Sequence, residues 1–95
     1  MDRERALALI YRTVDIVNQQ LPADRRLARR PDTVIVGAGG ALDSLGIVNF
    51  IVALEEHVRD AQGRSVDLLD FDLIAAERSP FHTIDTLTAH LMALP

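Results

Sequence analysis

The sequence predicts an all-α protein, a small four-helix bundle with a long first loop and a short third helix. Three observations carry this. Apolar residues recur at three- and four-residue spacing in separate stretches of the chain. Hydrophobic residues make up 48% of the sequence but aromatics only 4%, so Leu, Ile, Val and Ala must build the core, which suits packed helices better than a sandwich. At 95 residues the chain has the length of one domain, expected to cover 1–95, with surface enough to bury one modest core.

The first helix is expected over residues 3–20. Leu7, Ile10, Val14, Val17 and Leu21 share a face, with Arg5, Arg12, Asp15 and Gln19 left for solvent. Pro22 closes it. Residues 22–42 form the long connection, holding Arg25, Arg26, Arg29 and Arg30, then Thr33-Val34-Ile35-Val36, then Gly37, Gly39 and Gly40. A loop this long needs either a function or packing of its own, and Val34 and Val36 are the expected anchors to the core. The second helix is expected from about Ser44 to about Asp60. Leu45, Val48, Val52 and Glu56 fall on one side of it, and Ile47, Phe50, Ile51, Leu54 and Val58 on another. That apolar surface is wider than one core-facing stripe, so part of it is expected to stay exposed. Gln62-Gly63-Arg64-Ser65 breaks the pattern. Asp70 starts a short third helix over Phe71 to Ala76, which Ser79-Pro80 stops. The last helix runs from about Thr83 to Leu94, with Ile84, Leu87, Leu91 and Leu94 on one face, His82 or Thr83 as its cap, and Asp85 placed to suit the helix dipole.

Composition narrows the function classes. No cysteine is present, which excludes disulfides and thiolate metal sites and fits a reducing compartment. The charged start Met1-Asp2-Arg3-Glu4-Arg5 does not read as a secretory signal, and no apolar run approaches the length of a membrane span, so a cytoplasmic protein is expected. Residues 1–42 carry seven arginines against five acids, net +2, and residues 43–95 three arginines against nine acids, net −6. The acidic second half argues against nucleic acid and for a basic protein partner.

Val34 to Leu42 imitates a dinucleotide-binding turn, but Leu42 stands where that turn needs a small residue, and no second parallel strand follows. The glycines are better read as letting the backbone turn tightly before the second helix. Asp43 and Ser44 are both favoured helix caps, yet capping accounts for only one of them and leaves Gly46, costly in a first helical turn, unexplained. A catalytic serine at Ser44 would need a base: His57 lies more than three turns down the same helix, and His82 and His90 belong to the last helix. The histidines lack metal-ligand spacing, and surface or capping roles are expected for them.

Leu42-Asp43-Ser44-Leu45, followed by an apolar helix and Ala53-Leu54-Glu55-Glu56, resembles the attachment site of the acyl carrier protein family, including its peptidyl and D-alanyl members. The likeness covers Tyr11 to Leu94 and is specific from Leu42 to Val58. It implies the family's four-helix fold and a protein that is not itself an enzyme. Ser44 would be the attachment serine for a 4′-phosphopantetheine arm taken from coenzyme A, with Asp43 helping to position metal or transferase. Cargo would be held as a thioester on the arm, which answers the absence of cysteine. The resemblance also implies partners: a phosphopantetheinyl transferase, an acyl- or aminoacyl-loading ligase, and a downstream synthase or transferase. Leu45, Val48 and Val52 would face them, Glu55 and Glu56 would meet their basic patches, and Ile74 would line the region near the arm. The protein is expected to be a monomer. Fatty-acid members carry acids at the places held here by Gly46 and Asn49, so Asp-Ser-Leu-Gly is more similar to D-alanyl carriers and to stand-alone carriers of dedicated pathways. The alternative from another class is a helical adaptor that binds through Leu45, Val48 and Val52 without a prosthetic group.

Overall fold

The computed structural model describes residues 1–94. Four helices build it: α1 (Arg3–Asn18), α2 (Ser44–Gln62), α3 (Phe71–Ala75) and α4 (Ile84–Met92). The described residues contain no strand, only an isolated bridge between Val34 and Thr83. The radius of gyration is 12.2 Å, close to the ~12 Å expected of a compact chain of this length. No helix among the described residues is long and apolar enough to cross a membrane.

Each helix starts where a short polar side chain can satisfy an early amide. Asp2 accepts from the Arg5 amide at 2.8 Å, and Asp70 from the Leu73 amide at 3.1 Å. Thr83 and Thr86 bond reciprocally, so Thr83 rather than His82 caps α4. α1 ends at Asn18, two residues before the expected limit. Its last turns tighten into three-residue bonds from Gln19, Gln20 and Leu21, and the Asn18 side chain turns to bond both the amide and the carbonyl of Leu27. α2 runs two residues past its expected end. Gly63 closes it in the left-handed region at φ 72°, its amide bonding the Arg59 carbonyl.

α1 packs against both α2 and α4. One core draws on all four helices: Ile10, Val14, Phe50, Ile51, Leu54, Leu68, Ile74, Phe81, Ile84, Leu87 and Leu91 are all buried. Leu7, Leu21 and Leu94, expected on the core faces, are half-buried at its margin, and Ala6 and Leu9 complete the α1 face.

The first loop is held to the core by buried Leu27 and Ile35, with Val36 half-buried against the same core, while Val34 takes no part in it. Successive side chains of an extended segment point to opposite faces, so burying Ile35 leaves its neighbours less buried than itself. Backbone pairing with the start of α4 sets that register. The Ile35 amide donates to the His82 carbonyl at 2.7 Å, while the amides of Ile84 and Asp85 donate to the carbonyls of Thr33 and Pro31 at 3.0 and 2.8 Å.

His57 departs from the surface role expected of it. It is buried in the α1–α2 interface, with Nδ1 2.7 Å from the Thr13 hydroxyl oxygen. Thr13 donates its only hydroxyl proton to the Leu9 carbonyl at 2.9 Å, so His57 Nδ1–H must be the donor of the pair. Burial, and secondarily the charge of Arg12, pushes the imidazole pKa below its ordinary value of 6.5, against the smaller pull of Asp60 and Glu56. The unfolded chain therefore binds this proton more readily than the folded one. Stability falls as pH drops from 6.5 towards the lowered folded-state value, and this contribution is flat above 6.5. Urea unfolding at pH 7.5 and pH 5 should show a larger loss in the native chain than in His57→Gln; an equal loss in both would assign the acid sensitivity elsewhere.

Candidate functional site

The site forms where the first loop meets α2. Gly37 and Gly39 take φ values of 111° and 86°, open to glycine at little cost, and the Gly40 amide closes the turn on the Gly37 carbonyl at 3.0 Å. Ala41 and Leu42 then pack half-buried against the core. That contact delivers Asp43 and Ser44 to the head of α2.

The structure divides the roles of the two residues. Asp43 is the cap: its Oδ1 accepts from the Gly46 amide at 2.7 Å, and its carbonyl accepts from Ile47 at 2.9 Å. Ser44 is the first helical residue. Its side chain is exposed, and its hydroxyl makes no hydrogen bond within the described residues. Gly46 now has a reason. A β-carbon there would lie 3.2 Å from Asp43 Oδ1 and 3.3 Å from Leu42 Cδ2, so glycine lets the cap and the Leu42 anchor close on the helix together.

Beside Ser44 lies an open groove of about 210 Å³ between α2 and α3, lined by Ser44, Ile47, Val48, Phe71, Ile74 and Ala75. Apart from the serine it is apolar. It unites three of the expected residues, Ser44, Val48 and Ile74. Leu45 is not among its lining and stands 69% exposed. Val52 and Glu56 belong elsewhere, to a hollow of about 300 Å³ between α1 and α2 that Ile16 also lines. Glu55, expected to meet partners, is half-buried and accepts from the Leu68 amide at 2.7 Å, tying the segment after α2 to the helix. None of the three histidines lines the Ser44 groove. His57 is committed to Thr13, His90 packs tilted against Phe81 with ring centroids 5.7 Å apart, and His82 lies across α3.

Phe71 is the groove residue that the sequence reading did not single out. It is 65% exposed, a large apolar side chain between Asp70 and Asp72. The signal was the spacing of Phe71, Ile74 and Ala75 on a helix of five residues, too short to bury two faces.

The three ion pairs among the described residues join Arg3 to Asp85, Arg29 to Asp15 and Arg30 to Asp32. The acids between Asp43 and Glu77 take part in none of them, so the negative charge around the site is not neutralised by the protein's own cations.

The fold and site define a small helical bundle that presents an unbonded serine at a helix head beside an apolar groove. No family model, curated protein or solved structure matches the chain.

Capping and hydroxyl chemistry separate cleanly by substitution. Asp43→Ala should lower stability by about 1 kcal/mol, the ordinary cost of a lost cap. Ser44→Ala should change it by less than about 0.5 kcal/mol, as at an exposed residue whose side chain makes no hydrogen bond. Chemical denaturation of both variants checks this, and a larger loss in Ser44→Ala would make the serine a structural residue.

Proposed function

We propose that the protein is a stand-alone acyl or aminoacyl carrier of the acyl carrier protein kind, acting in the cytoplasm for a dedicated pathway. The observation that carries the reading is Ser44 itself: an exposed hydroxyl with no partner, on a helix whose cap is supplied by another residue. The surroundings fit a phosphopantetheine arm. A phosphodiester on Ser44 would sit at the positive end of α2, where the amides of Ser44 and Leu45 have no partner among the described residues. The apolar groove beside it offers a dry surface to the chain that follows.

Attachment is the work of a separate transferase. The Ser44 oxygen bonds to the β-phosphorus of coenzyme A, its proton passes to a base of that enzyme, and the pyrophosphate bond breaks with release of adenosine 3′,5′-bisphosphate. The arm then supplies the thiol that holds cargo, a group this cysteine-free chain lacks. The protein's own part is to present Ser44, keep it clear of competing hydrogen bonds, and display the surface that partners read. Leu45, Val48 and Phe71 form the apolar part of that surface. Asp43, Asp70 and Asp72 flank it with charge that steers basic partners, a loading ligase and a downstream synthase or transferase among them.

The exposure of Leu45 and Val52 also suits the second reading, an adaptor without a prosthetic group. Intact mass separates the two. Incubation with coenzyme A, Mg²⁺ and a broad-specificity phosphopantetheinyl transferase should add one phosphopantetheine to the native chain and none to Ser44→Ala. No gain in the native chain, with a known carrier modified in the same reaction, would leave the adaptor.

A further inference from the structure

A second hollow adjoins the Ser44 groove across α3. It measures about 290 Å³, and the two share Ile74 and Ala75. Its walls are the glycine turn on one side and the segment after α3 on the other, with Gly37, Ala38, Glu77, Ser79 and His82 among its lining. The walls are tied together, because the amides of Ile35 and Val36 both donate to the His82 carbonyl, at 2.7 and 3.3 Å. At Gly37, between the walls, the φ of 111° disfavours any side chain, and a β-carbon would lie in ordinary contact with the His82 ring at 3.4 Å.

The chemistry of this hollow differs from that of the groove. Ser79 is buried, and its oxygen accepts from the Phe81 amide at 3.1 Å, while its own hydroxyl proton has no acceptor among the described residues. Glu77 is exposed and belongs to none of the ion pairs of the described residues. A hydroxyl donor and a carboxylate acceptor thus line one small hollow, next to a groove that is otherwise apolar.

We infer that this hollow is a terminal subsite for cargo, selecting a small acyl group that bears a primary amine over an alkyl chain. The inference rests on the carrier reading of Ser44. Ser79 donates to a carbonyl of the cargo, Glu77 takes its ammonium group, and the Ile74–Ala75 edge of α3 is the saddle between groove and hollow.

The test uses the full chain loaded with two amide-linked pantetheine arms, one ending in glycyl and one in propionyl, which differ by an amine in place of a methyl. Intact mass confirms loading, and amide chemical shifts then locate the cargo. The glycyl form should move the amides of Gly37, Ala38, Glu77 and His82 at least twofold more than the propionyl form. Glu77→Gln, a change at an exposed residue, should abolish that difference while leaving the shifts of Val48 and Phe71 unchanged. Equal shifts from the two arms, or shifts confined to the Ser44 groove, would overturn the subsite while leaving the carrier intact. Failure to load, seen as no mass gain, would overturn both.

Discussion

The backbone pairing between the first loop and the head of α4 is the interaction on which the rest of the site depends. A helix begins with amides that its own turns cannot satisfy. In α4, two of these, Ile84 and Asp85, are taken by the carbonyls of Thr33 and Pro31. In return the His82 carbonyl receives the Ile35 amide and places that side chain in the core. A connection of some 25 residues between α1 and α2 thereby becomes a packed part of the fold, although it contains no strand. Everything that follows Ile35 in the loop, the glycine turn, Leu42 and the cap at Asp43, is aimed from that anchor.

At the head of α2 three neighbouring residues share one constraint. The cap must approach the first turn closely, the Leu42 side chain must reach the core, and the serine must remain outside. Asp43 satisfies an early amide, Gly46 removes the β-carbon that would crowd both Asp43 and Leu42, and Ser44 is left with no structural duty. A glycine that lowers helix propensity by about 1 kcal/mol is retained in a first turn because the local approach requires it. The same arrangement leaves the amides of Ser44 and Leu45 without a partner among the described residues.

Charge and apolar exposure reinforce each other around this point. The ion pairs involve α1, the first loop and α4, and they engage three of the seven arginines of the first half. The acids between Asp43 and Glu77 belong to none of these pairs. Exposed Leu45 and Phe71 stand among them. Under the proposed carrier function, such a surface would attract a cationic partner at long range and offer it apolar contact at short range. Glu55 is the exception, an acid turned inward to hold Leu68.

Much of this molecule was legible in its sequence. The helical period of Ile10, Val14 and Val17, and of Ile84, Leu87 and Leu91, identified core faces because a 3.6-residue repeat projects directly onto one side of a helix. Asp70, Gly63 and the pair Asp43-Ser44 marked helix ends because caps act within one turn. The local signal also put the exposed serine at the head of α2. What it left open was every choice made between distant segments. Ile35 is fully buried, Val36 only half-buried and Val34 outside the core because α4 sets the register of the loop. His57 is buried because Thr13, 44 positions away, offers it a partner. Glu55 and Glu56 are adjacent and equally charged, and only the path of the chain after Gly63 decides that one is tied to Leu68 while the other stays on the surface. Phe71 joins Ser44 in one groove for the same reason: proximity between residues far apart in the chain comes from packing, and no local pattern encodes it.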